Sequence, residues 1–258
     1  MKNFRITIVI SFIFLIALSS CTSRKKILYL QNESQDSAHV YIAQNIYHLI
    51  STGDVLYIDI FSLNKAVSET FSKTEGTYQY SMWNSQSNIY INGYSVNDSG
   101  YVNLPIIGAV LVKNLKIETC QDTIQKIARQ YISDAVVTVK LLSFRYSIIG
   151  EVLHPGTYNN FNDRLTIFQA VADAGDVTVF GNKTQAKIIR KTETGNKIII
   201  FDFTQSKILE SEAYYIQPND IIYIEPVRNK SFRQNLPNIA LIFSSISTTI
   251  LVLNFIGK

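Results

Sequence analysis

The chain has 258 residues, of which 24 are Lys or Arg and 20 are Asp or Glu, for a formal charge of +4. Two of the basic residues, Lys2 and Arg5, belong to an N-terminal leader; without them the balance falls to +2, and no basic, aromatic-interleaved stretch points to nucleic acid. Of the two cysteines, Cys21 sits in a lipidation motif and Cys120 is left without a partner, which excludes a disulfide framework.

The leader is a positive start followed by an apolar core, Ile6 to Leu18, softened only by Thr7 and Ser11. It runs into Leu18-Ser19-Ser20-Cys21, a lipobox in which small residues admit a peptidase and the Cys thiol takes a diacylglyceryl group. Residues 1–20 are thus expected to be a lipoprotein signal peptide, Cys21 the lipidation site and 21–39 a linker. Thr22-Ser23-Arg24-Lys25-Lys26 lacks the acidic residue that in well-studied bacteria retains a lipoprotein in the inner membrane. The expected address is therefore the outer membrane, with the bulk of the chain in the periplasm. An ordinary signal anchor that is never cleaved is the alternative.

Apolar and polar residues alternate in places over 27–60, and Gly53-Asp54-Val55-Leu56-Tyr57-Ile58-Asp59-Ile60 reads as a turn followed by a strand. Residues 62–87 are polar and poor in aliphatics apart from Phe71 and Met82-Trp83, the pattern of a long loop or insertion. Strands are expected at Ile89–Ile91 and within Gly100–Val112, broken at Leu104-Pro105 and Gly108. Ile117, Cys120, Ile124, Ile127, Ala128 and Tyr131 fall on one face of a helix. The β-branched run Ala135–Leu142 then leads through Ile148-Ile149 into a strand, Pro-Gly turn and strand over 150–158.

A short helix is expected over Arg164–Ala174, with Leu165, Phe168, Val171 and Ala172 inward and Gly175 as its stop. Further strands are expected at Ala186–Arg190, Lys197–Phe203 and Asp220–Ile224. Gly53-Asp54-Val55-Leu56-Tyr57-Ile58-Asp59 is echoed by Asn219-Asp220-Ile221-Ile222-Tyr223-Ile224-Glu225, a repeat that a favoured turn-into-strand sequence alone would also produce. At the C-terminus, Ile239 to Ile256 carries no charge, and its length suggests a membrane-spanning helix within 234–258.

These segments resemble the outer-membrane polysaccharide export proteins, which pair a polysaccharide-export domain with a soluble-ligand-binding β-grasp domain. The first domain's signature resembles Tyr47-His48-Leu49-Ile50-Ser51-Thr52-Gly53-Asp54-Val55-Leu56, followed by Val96 to Gly108. The second domain's signature resembles Gly150-Glu151-Val152, Pro155-Gly156-Thr157-Tyr158, Leu165 to Gly175 and Pro218 to Ile224. Asp176 stands where the family often has a second Gly, and 62–87 matches no signature. The resemblance implies an α+β protein: an export domain at 40–145, a β-grasp domain at 146–228 and a C-terminal transmembrane helix at 234–258.

It further implies a ring-shaped homo-oligomer that passes capsular or extracellular polysaccharide through the outer membrane. An inner-membrane copolymerase or tyrosine-kinase-like chain-length regulator would be its partner. On that reading Ser244, Ser247, Thr248 and Asn254, a narrow polar stripe at offsets 0, +3, +4 and +10, line the pore, with Ile239, Ile242, Phe243, Ile246, Ile250 and Leu253 opposite. A plain anchor whose Ser and Thr bond to their own helix is the competing reading of the stripe. For the whole chain the alternative is a periplasmic β-grasp lipoprotein that binds a soluble glycan or other ligand without a pore.

Nothing in the sequence asks for a cofactor, a metal or an active site. His39, His48 and His154 lack metal-ligand spacing, and Gly181-Asn182-Lys183-Thr184 lacks the Gly-Lys pair of a phosphate loop. Asp163, Asp173 and Asp176 read as caps or a solvated face, Asp54 and Asp220 as turn formers, and Cys120 as a small core residue. The 15 tyrosines suit strand packing, although exposed ones can stack on sugar rings.

Overall fold

A computed structural model of the protein describes residues 28–31, 39–44, 47–63, 93–192, 194–228 and 230–256. The signal peptide with Cys21, most of the 62–87 segment and the strand expected at 89–91 lie outside the described residues.

Two hydrophobic cores organise the chain. The first is built on a three-stranded antiparallel sheet of order β2-β1-β5, with β1 at Val55–Phe61, β2 at Tyr94–Ser95 and β5 at Val136–Leu141. Period-two alternation places Leu56, Ile58 and Ile60 of β1 and Val137 and Val139 of β5 inward. A hairpin, β3 (Tyr101–Leu104) and β4 (Gly108–Leu111), adds Val102, Leu104 and Val110 to this core. Its turn falls at the Pro105-to-Gly108 break seen in the sequence.

Helix α1 (Ile117–Ala128) buries Cys120, Ile124 and Ala128 against the sheet. Its partly buried glutamines do more than fill space. Gln125 donates to the Ala135 carbonyl and accepts from the Val137 amide, both at 2.8 Å, while Gln121 accepts from the Val139 amide at 3.2 Å. One turn apart on the helix, they satisfy backbone groups along the β5 edge that does not face β1, which protects an edge strand from stray pairing. The helix closes at Ala128, with Arg129 as its C-cap, so Tyr131 lies beyond it and is 56% exposed instead of joining the apolar face.

The second core lies under a five-stranded mixed sheet of order β10-β9-β12-β6-β7. Its strands are β6 (Arg145–Gly150), β7 (Gly156–Asn159), β9 (Gly181–Thr192), β10 (Gly195–Phe201) and β12 (Ile221–Pro226). All neighbours are antiparallel except β12 and β6, which run parallel at the centre. A two-stranded ribbon of β8 (Leu165–Thr166) and β11 (Tyr215–Ile216) borders it. Helix α2 (Ile167–Asp173) starts from a capping box in which Thr166 and Gln169 satisfy each other's backbone amides, and it ends before Gly175. Ile167, Ala170 and Val171 are its buried residues. Ala172 is exposed, because the helix begins two residues later than Leu165 and its inward face is rotated accordingly.

The third helix, α3 (Lys230–Ile256), requires a correction. It forms a single rod of 27 residues, but Pro237 lies near its start and Ser244, Ser245, Ser247, Thr248 and Thr249 interrupt its aliphatic run. Among the described residues no helix is long and apolar enough to cross a membrane. The fold is mixed α+β, and the C-terminal transmembrane helix expected at 234–258 is not part of it.

Gly150 is where the sequence leaves the second sheet least freedom. Its φ is +94°, and a Cβ there would lie 2.1 Å from the Ile224 carbonyl oxygen of the parallel neighbour. That oxygen accepts from the Glu151 amide at 3.0 Å, so it has no room to retreat. Gly150→Ala should therefore combine left-handed strain with backbone overlap and destabilise the fold by about 3 kcal/mol. Gly53→Ala, at φ +86° with nothing within 4 Å, meets only the strain and should lose about 1–2 kcal/mol. Denaturant midpoints of the two variants against the parent check the difference.

Candidate functional site

The signature segment 47–56 folds around one carboxylate. Asp54 is 5% exposed, accepts from the Ser51 amide at 2.9 Å and from the Ser143 hydroxyl at 3.2 Å, and lies 2.7 Å from His48 Nε2. Ser143 in turn accepts from the Val55 amide at 3.1 Å. Gly53 takes the left-handed conformation that lets the chain reverse into β1, and the Asp54 amide closes the turn on the Ser51 carbonyl at 3.1 Å. His48, which in the sequence lacks metal-ligand spacing, is thus a partner of Asp54.

The echoed segment at 217–225 folds the same way. Asn219 has φ +67°, the Asp220 amide donates to the Gln217 carbonyl at 3.1 Å, and the Gln217 amide donates to Asp220 Oδ2 at 2.8 Å. Asp220 is 1% exposed, and its cationic partner is Arg190 of β9, which grips both carboxylate oxygens at 3.0 and 2.7 Å. The same guanidinium donates to the carbonyls of Tyr215 and Glu212. Burial pushes the Asp220 carboxyl up, while Arg190 and the Gln217 amide oppose that shift by favouring the charged form. The repeat is therefore structural in both places. Asp54 and Asp220 are turn formers, as read from sequence, and each is tied to a basic group the sequence reading did not assign to it.

The remaining titratable candidates are also held by structure. Tyr146 donates to Asp173, and Tyr29 donates to Asp176. Asp176 itself adopts φ +77°, a left-handed conformation that glycine adopts most readily, and it adds a carboxylate at that spot. Cys120 is buried on α1, and burial pushes its thiol up to about 11, far from a nucleophile at neutral pH. Among the described residues no group of three or more His, Cys, Asp and Glu side chains is placed to hold a metal ion.

Of the stripe residues, Ser244, Ser247 and Thr248 are exposed on α3, and Asn254 belongs to the same helix. Thr248 donates its hydroxyl to the Ser244 carbonyl at 2.9 Å, and neighbouring Thr249 and Ser245 bond to the Ser245 and Ile242 carbonyls. These hydroxyls bond to the helix's own backbone, the pattern of the plain-helix alternative. Cys21 lies outside the described residues, but the chain is fixed soon after it. Tyr29 packs edge-on against Phe168 and Phe203, and the Leu30 and Gln31 amides donate to the Phe203 and Thr204 carbonyls at 3.1 and 2.7 Å. The N-terminal strap is thus part of the second core.

Residues 43–142 match the model of a family described as polysaccharide biosynthesis/export protein. The chain is 25% identical over 181 residues, 69% of its length, to EPS I polysaccharide export outer membrane protein EpsA of Ralstonia solanacearum. It is 26% identical over 146 residues, 55% of its length, to the protein of the same name from Ralstonia nicotianae. The chain spans 47% of the first relative and 38% of the second, about half of their length or less.

The two carboxylate turns make unequal demands. Arg190→Ala leaves Asp220 buried without its counter-charge and should cost about 3–5 kcal/mol. Asp54→Ala leaves a partly exposed His48 and orphans the Ser51 amide, and should cost about 1–3 kcal/mol. Chemical denaturation of the two variants, with the larger loss at Arg190, tests the assignment.

Proposed function

We propose, from the match of residues 43–142 to the polysaccharide biosynthesis/export family, that this protein is a subunit of an outer-membrane apparatus that exports extracellular polysaccharide. The observation that carries the proposal is that the family match covers the described residues of the first hydrophobic core. The match begins just before the Asp54 turn and ends at Leu142, whose amide donates to the Val55 carbonyl and closes the β1–β5 sheet. Two relatives whose names include polysaccharide export and outer membrane support the location and the cargo.

In finer detail, Cys21 carries the lipid, the bulk of the chain stands in the periplasm, and copies assemble into a ring around the polymer path. Eight Cα–Cα steps lead from Cys21 to Tyr29, so the second core is held within about 28 Å of the acylated residue. The second core serves as the soluble-ligand-binding β-grasp domain, and an inner-membrane copolymerase or tyrosine-kinase-like regulator meets the ring. Leu241, Ile242, Phe243, Ile246, Ile250, Leu251 and Leu253 of α3 are all exposed, more apolar surface than a lone helix keeps in water. Copies of α3 cover one another in the ring, with Ser244, Ser247, Thr248 and Asn254 toward the polymer.

The alternative, a lipoprotein that captures a soluble glycan without a pore, gains from the correction to α3, since a binder has no need of a second membrane element. The two part company on truncation. Among the described residues none of α3 belongs to either hydrophobic core, so a chain ending at residue 228 should fold and, with Cys21 intact, incorporate labelled palmitate. Export by cells carrying only that chain should be abolished and its native mass should fall to a monomer. Normal surface polymer would overturn the assembly role of α3. The Cys21→Ser precursor should take up no labelled fatty acid; uptake would overturn the lipoprotein assignment.

A further inference from the structure

One ribbon of the second unit exposes two aliphatic side chains at the place where the N-terminal strap and the start of α3 attach. Residues 151–154 run antiparallel to 174–178. Leu153 N donates to Asp176 O at 3.1 Å, His154 N to Ala174 O at 2.9 Å and Thr178 N to Glu151 O at 2.9 Å, and Val152 bridges to Val177. The ribbon ends in a turn that Gly181 N closes on Thr178 O at 2.9 Å, with Val179 at its corner. Val152 and Val177 are buried, but Val179 is 83% exposed and Leu153 61%. The strap attaches beside Leu153, because Tyr29 donates to Asp176. The segment leading into α3 attaches beside Val179: Val227 N donates to Phe180 O at 2.8 Å, and Lys230 pairs with Glu151. Arg228 in that segment is exposed.

We infer that this ribbon rests on the lipid surface of the membrane that holds Cys21, with Leu153 and Val179 entering the headgroup layer. The inference rests on the lipid anchor of the proposed function. The length of chain between anchor and ribbon is what assigns the surface to lipid. Eight Cα–Cα steps lead from Cys21 to Tyr29, a span of at most about 28 Å. Tyr29 is bonded to Asp176, the residue with which Leu153 pairs, so the acyl chains keep these side chains within reach of headgroups. Arg24, Lys25 and Lys26 lie between the two points in sequence, and their charge is attracted to anionic lipid. Leu and Val leave water favourably on entering such a layer, while a guanidinium such as that of Arg228 meets phosphate with paired donors. The ribbon's two acids are engaged locally, Glu151 by Lys230 and the Thr178 hydroxyl, Asp176 by Tyr29 and the Val177 amide. A chain held by lipid at one point swivels about it, and a second contact close by fixes its tilt against the bilayer.

The test places one nitrobenzoxadiazole label on the full-length, acylated protein. The protein sits in vesicles of phosphatidylethanolamine and phosphatidylglycerol that carry a nitroxide on the acyl chain near the glycerol. The label goes on Leu153→Cys, on Val179→Cys or, for comparison, on Ile198→Cys. With Cys21 consumed by lipid and Cys120 buried, the added thiol is the one the reagent reaches. Ile198 is 60% exposed, much like Leu153, but its β9 neighbour Ile189 lies eight residues along the strand from Gly181, about 27 Å. Labels at 153 and 179 should shift to the blue and be quenched by the nitroxide, and the label at 198 should do neither. Unquenched labels at 153 and 179 on protein that floats with the vesicles overturn the inference, and so does equal quenching at all three positions. A blue shift that grows with protein concentration and ignores the nitroxide makes a second copy the cover, and overturns it too.

Anchor and export are read separately from the contact. Where the parent takes up labelled fatty acid and the Cys21→Ser chain does not, unquenched labels overturn the contact and leave the anchor standing. Uptake by Cys21→Ser overturns the anchor, and with it the inference. Unchanged surface polymer on removal of the whole chain overturns export, and the quenching still decides the contact.

Discussion

Both sheets of this protein depend on a buried carboxylate at the entrance to a central strand. β1 is the middle strand of its sheet and β12 the middle strand of the other. Each is preceded by a left-handed residue, Gly53 or Asn219, and then by a buried aspartate that takes the amide three residues back. The geometry forces a reversal, the carboxylate satisfies an amide the reversal would orphan, and the strand starts in a fixed register. The turn also reaches sideways. Gly53 N bonds to Val96 O and Val96 N to Asp54 O, while Asn219 N bonds to Arg145 O and Ser147 N to Asp220 O. In the first case the neighbouring strand is antiparallel, in the second parallel. One local device therefore seeds two different sheets, and the basic partner is what differs: a partly exposed histidine in one, a buried arginine in the other.

That contrast explains what could be read from the sequence. The alternation in Val55–Phe61, the Pro-Gly break before β7, the stop at Gly175 and the apolar face of α1 are all local patterns, and each led to the right element. The partners of the buried acids were out of reach because nothing local marks them. Arg190 lies 30 residues from Asp220, and Tyr29 lies 147 from Asp176. Gln121 and Gln125 fall outside the apolar set of the helix, and they close the edge of β5, a role visible only once helix and strand are side by side. The helical ends were misjudged by a turn. Periodicity carried Tyr131 into α1 although the chain had already left the helix, and the Thr166–Gln169 capping box, which fixes the true start of α2, carries more information than the apolar spacing did.

The least legible part of the sequence was its two ends, and there the structure supplies an organising fact. The N-terminal strap and the start of α3 converge on one loop cluster of the second core. Tyr29 reaches Asp176, with Lys183 Nζ 3.9 Å from its ring, and Lys230 pairs with Glu151. Glu151 also accepts from the Thr178 hydroxyl at 3.0 Å, and Leu153 N bonds to Asp176 O at 3.1 Å, so both attachments share a hydrogen-bonded patch. An aspartate at the left-handed position 176 has a use here. Glycine supplies the conformation alone, whereas aspartate supplies the conformation and an acceptor for Tyr29.

Convergence of the ends has a mechanical consequence. A force applied at the strap or at α3 enters the same patch, passes into β6 through the chain at Glu151 and into β12 through the Glu151–Ile224 hydrogen bond, and so meets the parallel pair at the centre of the sheet. Gly150 lies at that entry point, pressed against Ile224, and there is no soft side chain between them to absorb a displacement. The first unit is reached last, through Leu141, which packs on both cores, and through the Tyr47–Arg164 contact at the surface. The order of attachment in space is thus second core first and first core outermost, the reverse of their order in the chain. An anchor at Cys21, as proposed, would therefore act on the second unit before it acts on the first.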